Sequence, residues 1–381
     1  MANTLTGLTP VIYEGLDIVS RELTGLIPAV QKNSNAERAG KDQTIRIPIT
    51  PSSTAADITP AQYAPDTGDQ TLSYADITIS KARAVPVRWN GEEQKSYGTN
   101  GTLNKTLADQ FAQAFRTLAN EVEATIAAEY YKSSRAYGTA GTAPFSSSLE
   151  DAAQMKKILD DNGAPMSDRH LVINTTAGVN LRTLTHLTQA NTAGTADTLR
   201  RGVLLPIFDF DIRESAQIKA HTAGTASGFD LSASGAIGTS TLTVDGNNSG
   251  TILAGDIVTW TGDTNKYVVL SSTASGAATG NIVIGKPGLR VAGAAATEGA
   301  LGSSYTANMA FHRDAIQLVT RQPAMPVGGD MADDVMMVTD PVTGITFEIA
   351  VYRQYRQVHY SVGLAWGVSL IKPEHAALLL G

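Results

Sequence analysis

The clearest pattern in the chain is a single apolar stripe between residues 101 and 135, with spacings of three and four. Its members are Leu103, Leu107, Phe111, Phe115, Leu118, Val122, Ile126 and Tyr130. Glu121, Glu123 and Glu129 lie off the stripe. This period is that of an amphipathic α-helix. At ~1.5 Å per residue, about 28 residues give a helix of roughly 40 Å, and we predict that it is the spine of the fold.

The segment before this helix, residues 33–100, has the alternation of β-strands. Ile45, Ile47 and Ile49 alternate with polar residues before Pro51, which indicates a half-buried strand. A long segment rich in Pro, Ala, Thr and Asp follows, and strand patterns resume at 72–87. We predict a projecting β-loop, because connections of this length are usually functional. Residues 1–32 carry only a short amphipathic pattern and are predicted to be an arm.

Residues 136–221 and 306–381 interleave helical and strand patterns, which indicates an α+β body. A capping box of Ser148 and Asp151 is expected at the start of its first helix. The predicted helices are 149–162, 177–186 and a short one at 374–380. The predicted strands are 170–174, 207–213, 315–320, 345–353 and 358–371.

Residues 222–305 differ from the rest because Gly, Ala, Ser and Thr dominate and charges are sparse. Short strand patterns bounded by Gly, Asn or Asp recur there without any helical pattern. This combination predicts a small β-barrel or sandwich inserted into the body. The fold class is therefore α+β. Its predicted segments are an arm (1–32), the β-loop and its base (33–100), the long helix (101–135), the body (136–221 and 306–381) and the inserted barrel (222–305).

Charge changes the interpretation of the surface. Charged residues make up 17% of the chain, against roughly 25% in ordinary soluble domains. Such a surface suits a protein that is largely covered by neighbours. The net charge of −7 argues against tight binding to nucleic acid, which needs a basic excess. We expect any nucleic acid to be enclosed, not gripped.

Several classes of chemistry are excluded or unsupported. The chain has no cysteine, so disulfides and thiolate chemistry are impossible. We find no secretory signal in the first residues and no apolar run of the ~20 residues that span a bilayer. We therefore expect a protein made in the cytoplasm, without a membrane segment.

No motif nominates a cofactor or an enzyme. The six histidines form no metal-binding spacing, and no phosphate-binding loop or nucleophile motif occurs. Asp209 and Asp211 flank Phe210 in a predicted strand, so both would lie on one face and could hold a divalent cation. We favour a solvated strand face. We expect no metal, no cofactor and no catalytic residue.

A loose basic cluster lies where the arm meets the β-loop. It consists of Lys32, Arg38, Lys41 and Arg46. Two interpretations stay open: contact with acidic neighbours or DNA phosphates, or a solvated structural strip.

The order of these segments, with six stretches of sequence, resembles the coat proteins of short-tailed phages of the Salmonella phage type. The stretches are GLIPAVQKNS (25–34), KDQTIRIPIT (41–50), SKARAVPVRWNGEEQ (80–94), AGDIVTWTG (254–262), FHRDAIQLVTRQPAMP (311–326) and LAWGVSLIKPEHAALL (364–379). The resemblance implies the Hong Kong 97 capsid fold. It also implies a major capsid protein that self-assembles through pentamers and hexamers into an icosahedral shell around double-stranded DNA.

The resemblance further implies where contacts lie. The extended loop, with Tyr63, Asp66 and Asp69, would cross an adjacent subunit. The loop around Arg321 and Met325 would meet its equivalents in other subunits.

The inserted barrel would face outward. Glu14 and Asp17 on the arm are candidate contacts for a scaffolding protein, and a portal protein is a further expected partner.

Three alternatives remain. A nanocompartment shell of the encapsulin type shares the fold but encloses enzymes. A metal-dependent hydrolase would use Asp209 and Asp211. An adhesin or tail-decoration protein would use the β-rich insertion but leaves the long helix unexplained.

Overall fold

The fold contains both helices and strands, as the α+β prediction requires. The computed structural model describes residues 24–50, 55, 57, 58, 60, 69, 71–99, 103–189, 204, 206–274, 279–341 and 343–381. Within them the α-helices are α1 (Gly91–Thr99), α2 (Leu103–Ala127), α3 (Glu150–Asp161), α4 (Thr175–Thr183) and α5 (Thr185–Thr188). Short 3₁₀ turns occupy Ile27–Ala29, Ala128–Lys132, Arg313–Ala315 and Pro373–His375.

The strands are distributed along the whole described chain. In order they are β1 (Gln31–Ala39), β2 (Thr44–Ile49), β3 (Ser73–Thr78), β4 (Lys81–Asn90), β5 (Arg135–Tyr137), β6 (Arg169–Ile173), β7 (Phe210–Glu214), β8 (Ala220–His221), β9 (Ser227–Leu231), β10 (Thr241–Ser249), β11 (Ile257–Trp260), β12 (Lys266–Ser272), β13 (Gly280–Ile284), β14 (Glu298–Leu301), β15 (Tyr305–His312), β16 (Ile316–Pro323), β17 (Asp334–Thr339), β18 (Thr346–Gln354), β19 (Gln357–Leu370) and β20 (Ala376–Leu380).

The long helix predicted from the apolar stripe is confirmed as α2. It packs against a six-stranded sheet of order β1-β16-β19-β18-β17, in which β4 also pairs with β19. Phe115 lies 5.1 Å from Phe347 and Phe111 lies 5.5 Å from Tyr360 between ring centroids. The stripe is therefore buried against one face of this sheet, and the long strand β19 organises the other strands.

The second large sheet joins the body to the insertion. Its order is β11-β14-β9-β10-β13-β12-β5-β20-β15-β6-β7, and β8 also pairs with β15. Strands β9 to β14 constitute the β-unit (227–301). Because β11 pairs with β12 as well as with β14, these six strands close into a small barrel, as their short alternating patterns predicted. The β-unit has an apolar core of its own around Phe229, Val244 and Trp260.

Two local predictions were wrong. The chain ends in a short 3₁₀ turn and a strand, β20, where a short helix was expected at 374–380. All five residues of β20 are buried, since the strand lies between β15 and β5 and is covered on both faces. Ser148 and Asp151 do not form a capping box. Ser148 accepts a hydrogen bond from the Glu150 amide (3.3 Å), and Asp151 accepts one from the Phe145 amide (2.7 Å).

Among the described residues, no helix is both long enough and apolar enough to cross a membrane.

Candidate self-assembly surfaces

The hairpin of β2 and β3 forms a two-stranded sheet of its own. Arg46 pairs with Asp76 across the hairpin at 3.0 Å, and its guanidinium lies 5.4 Å from the Tyr74 ring centroid. Tyr74 and Leu72 are 55% and 50% exposed. The hairpin therefore holds its shape through its own contacts and presents large apolar side chains to solvent.

The base of the hairpin is fixed to the six-stranded sheet. Two backbone bonds close the hairpin itself, since the Asp42 amide donates to the Ile79 carbonyl and the Ile79 amide donates to the Gln43 carbonyl, both at 2.9 Å. Ile79 then packs with Ala39 of β1 and Ala365 of β19. The side chain of Ile79 is fully buried. Thr78 crosses β19 at Gly367, where an added Cβ would lie only 2.2 Å from the Thr78 carbonyl oxygen. The direction in which the hairpin leaves the body is thus set by close packing.

The segment between the two hairpin strands is acidic. Residues 50–72 contain Asp57, Asp66 and Asp69 and no Lys or Arg. Asp69 is exposed and Ile58 is 99% exposed. Tyr63 and Asp66, the other two predicted contact residues of this loop, lie outside the described residues, so their role stays a prediction.

A second exposed surface follows β16. Met325 is partly exposed, and Val327 and Met331 are almost entirely exposed. Gly328 and Gly329 have φ of 98° and 88°, a region that favours glycine. These two glycines make the sharp turn that places the two apolar side chains at the tip of the loop.

The same loop is tied to β18 at Asp333, whose amide donates to the Val351 carbonyl at 2.8 Å and whose carboxylate pairs with Arg353 at 3.2 Å, and at Asp330. The Tyr352 hydroxyl donates to Asp330 at 2.6 Å. This hydrogen bond is the main reason why the pKa of Asp330 lies below its ordinary value. Burial, followed by the bond to Asp330, raises the pKa of Tyr352 to about 12. The loop is therefore anchored over the neutral pH range.

Arg321, also predicted as a contact between subunits, lies inside β16 and is 7% exposed. Its guanidinium donates to the Asn33 carbonyl (2.7 Å) and to the Asn33 side-chain oxygen (3.0 Å). It holds β1 against β16 within one chain. Met325 and the loop beyond it are better placed than Arg321 to reach another subunit.

A groove of about 680 Å³ opens where β4 ends and α1 begins. Its lining residues include Trp89, Glu92, Arg353, Arg356 and Val358. The entrance to α1 is fixed by a reciprocal pair of backbone bonds, in which the Glu93 amide donates to the Asn90 side chain and the Asn90 amide donates to Glu93. This is the geometry of a capping box. The groove therefore has a rigid wall and two cationic side chains.

The basic cluster at the start of the β-loop is largely used within the chain. Lys32 donates to the Thr343 carbonyl. Arg38 donates to the Pro323 carbonyl at 2.8 Å and pairs with Glu348 at 2.6 Å. Arg46 pairs with Asp76, and Lys41 is exposed. For three of the four side chains the structural interpretation fits better than contact with DNA phosphates.

The described end of the predicted arm is buried. Leu26, Ile27 and Val30 are at most 1% exposed. The Glu123 carboxylate accepts the Leu26 amide (2.7 Å) and the Ile27 amide (2.9 Å). Burial raises the pKa of Glu123. Residues 24–30 are thus packed against α2 as part of the core of the body. Glu14 and Asp17, the candidate scaffolding contacts, lie outside the described residues.

The shared strand face proposed for Asp209 and Asp211 was wrong. Asp209 precedes β7 and has φ of 65°, so it belongs to a turn, and it pairs with Lys156. Asp211 lies in β7, 3.9 Å from His170. The premise of the hydrolase alternative fails for these two residues. Among the described residues, no group of three or more His, Asp or Glu could hold a metal ion.

Sequence reasoning also missed a buried polar cluster beside the β-unit. The Tyr130 hydroxyl lies 2.8 Å from His221 Nδ1, and His221 Nε2 lies 2.7 Å from Asp256. In the sequence, His221 has no metal-binding spacing to another histidine. Its partners lie 91 and 35 residues away in sequence, and no local spacing indicates them.

The sequence matches no protein-family model and no curated protein. Among solved structures, the capsid of cyanophage P-SCSP1u is 12% identical, with a TM-score of 0.49 over 94% of this chain and 88% of that one. The Mycobacterium phage Che8 structure is 13% identical, with a TM-score of 0.44 over 90% and 88%. A virus-like particle from Pyrococcus furiosus is 9% identical, with a TM-score of 0.45 over 98% and 99%. Because these scores are below 0.5, the function proposed for this chain rests on its own surfaces.

Proposed function

We propose that this chain is the major capsid protein of a tailed bacteriophage, with the Hong Kong 97 type of fold. Copies would assemble as pentamers and hexamers into an icosahedral shell that encloses double-stranded DNA. The observation that carries the proposal is the β2–β3 hairpin, which has a rigid seat on the body and large exposed apolar side chains. Covering these apolar side chains with another protein surface removes them from water and is favourable in free energy.

The hairpin is proposed to lie across a neighbouring copy. Its acidic segment, with Asp66, Asp69 and Tyr63, would meet a surface of opposite charge, because complementary charges set the register of an interface. The groove on the neighbour offers Arg356, and also Arg353, which pairs with Asp333 of its own chain at 3.2 Å. The exposed loop with Val327 and Met331 would form a second contact between copies.

The remaining roles follow from this proposal. The protein would reside in the virion after assembly in the host cytoplasm, with a scaffolding protein and a portal protein as partners. It would enclose DNA without sequence-specific contacts, and its role would be structural, without catalysis.

Electron microscopy of the full chain, expressed alone and together with its neighbouring genes, tests the proposal. We expect closed or partial shells. A chain that stays monomeric under all these conditions would refute it. The contents of purified particles separate the two shell functions, since DNA indicates a phage capsid and an enzyme cargo indicates a nanocompartment.

A further inference from the structure

The β-unit is joined to the body by little backbone pairing. The β12–β5 ladder has two residue pairs, and so does the β8–β15 ladder at the point where the chain enters and leaves the insertion. Its apolar core is largely its own, and only a few of its side chains, such as Ile257 and Val268, reach the core of the body. Beside β5 the junction also has two side-chain bonds, from Arg135 to Asn265 (2.8 Å) and from Lys266 to the Gly138 carbonyl. The remaining contact between the β-unit and the body lies at the end of α2.

A chain of polar side chains crosses this junction. Tyr130 follows α2, His221 lies in β8, and Asp256 belongs to the β-unit region just before β11. A carboxylate only accepts hydrogen bonds, so His221 Nε2 donates to Asp256 (2.7 Å). In the neutral imidazole Nδ1 is then the acceptor, and the Tyr130 hydroxyl donates to it (2.8 Å). Both ring nitrogens of His221 are thereby satisfied, and the long helix is connected to the β-unit.

The far end of this chain is fully buried and fully bonded. Asp256 has no exposed surface. It also accepts the Leu253 amide at 2.6 Å and the Gly224 amide at 3.0 Å. The Tyr305 hydroxyl donates to the Gly255 carbonyl at 2.5 Å. These bonds hold the Asp256 carboxylate in one orientation within the insertion. The hydrogen bond from His221 to this carboxylate therefore also fixes the orientation of the His221 ring.

The backbone is shaped to admit this contact. Gly255 has φ of 96°, and a Cβ at that position would lie 3.0 Å from both the His221 and the Tyr130 rings. A Cβ on Gly224 would lie 2.7 Å from the Asp256 carboxylate. Any other residue at either position would push the three side chains apart.

We propose that Tyr130, His221 and Asp256 form a polar joint that sets the orientation of the β-unit relative to α2. Directional hydrogen bonds between buried groups specify geometry more narrowly than apolar contact does. The joint therefore makes the long helix and the barrel move as one body. The joint lies within a single chain and does not depend on shell assembly.

The absence of cysteine makes the joint directly measurable. Gln113 on α2 and Ala236 in the insertion are both exposed, and Gln113→Cys with Ala236→Cys would introduce the only thiols. Spin labels at these two sites report the distance between helix and barrel by pulsed electron resonance. Dilution of the labelled chain with unlabelled wild-type chain keeps signals from different copies apart, whether or not the protein assembles.

We expect one narrow distance peak in the otherwise wild-type protein. Tyr130→Phe removes only the hydroxyl and keeps the ring contacts. His221→Gln removes the imidazole ring that bonds to both Tyr130 and Asp256. Both should widen the peak into several distances while the far-ultraviolet circular dichroism is unchanged. Tyr131→Phe, the matched control, should keep the narrow peak.

An unchanged narrow peak in a folded Tyr130→Phe or His221→Gln protein would overturn the proposal. Loss of folding in both variants would do so as well, since it would assign the three residues to the stability of the fold and not to orientation.

Discussion

Phe115 illustrates at the scale of one residue what the apolar stripe of α2 contributes. Its side chain is fully buried and packs on Phe347. Phe115→Ala should lower the free energy of unfolding by about 3–5 kcal/mol, because it removes apolar contact and leaves a cavity. Denaturant unfolding measures this loss. Phe208→Ala is the matched control, since Phe208 is 44% exposed, and an equal loss in both variants would contradict the assignment.

His170 gives a prediction about pH at the same scale. Burial, then Arg213 and Arg313, lower its pKa to about 4, and Arg313 donates to its Nε2 at 3.3 Å. The unfolded chain binds the proton nearer pH 6.5, so the free energy of unfolding should fall as pH drops from about 6.5 towards 4. Denaturant unfolding across this range should show a shallower slope for His170→Gln. Identical slopes would contradict the prediction.

Glu123 shows why some residues escape sequence analysis. Its position off the apolar stripe of α2 predicts a solvated carboxylate, yet it is fully buried. Its carboxylate accepts hydrogen bonds from the backbone amides of Leu26 and Ile27, which are 97 and 96 residues away in sequence. A buried charge is tolerated only where such donors are present. No periodicity in α2 carries information about donors supplied by a distant segment.

At the scale of elements, periodicity predicted α2 and the hairpin strands because each has one face that is more buried than the other. That alternation is the physical signal on which such predictions rest. Strand β20 has no exposed face, because Ala376, Leu378 and Leu380 pack into the core around α2 while Ala377 and Leu379 pack into a second apolar cluster. A short run that is apolar on every side does not distinguish a helix from a strand, which explains the wrong prediction at the end of the chain.

The seat of the hairpin yields a prediction about an element. A Cβ on Gly367 would lie 2.2 Å from the Thr78 carbonyl oxygen, so Gly367→Ala should lift the hairpin base from β19 and cost about 1–3 kcal/mol in stability. Hydrogen exchange should show faster exchange at the Ile79 amide. Gly98→Ala is the control, because nothing lies within 4 Å of that position on α1. Unchanged exchange at Ile79 in Gly367→Ala would show that the seat adapts.

At the scale of the whole molecule, the fold was predictable as an order of segments but the surfaces were predictable only in part. The exposed hairpin and the loop with Met325 follow from sequence. The role of Arg321 in holding β1 against β16 does not follow from sequence, because it depends on the parallel pairing of these two strands. Parallel pairing between segments almost 300 residues apart leaves no trace in local sequence, so a side chain that closes such a contact looks like any surface arginine.

The proposed assembly makes its sharpest prediction through the acidic segment of the hairpin. Asp66→Ala combined with Asp69→Ala removes two of its three charges, and Asp69 is exposed. The chain should therefore unfold at the same denaturant concentration as wild type but assemble poorly, because complementary charges guide docking between copies. Sedimentation and electron microscopy measure the yield of particles.

The control is Asp109→Ala with Glu298→Ala, which removes the same charge from two exposed positions on α2 and the β-unit. Normal particles from the hairpin variant would show that the hairpin contact is apolar and not electrostatic. The combination of Leu72→Ser and Tyr74→Ser would then decide whether the hairpin takes part in assembly at all, because those side chains are half exposed and available to an apolar partner surface.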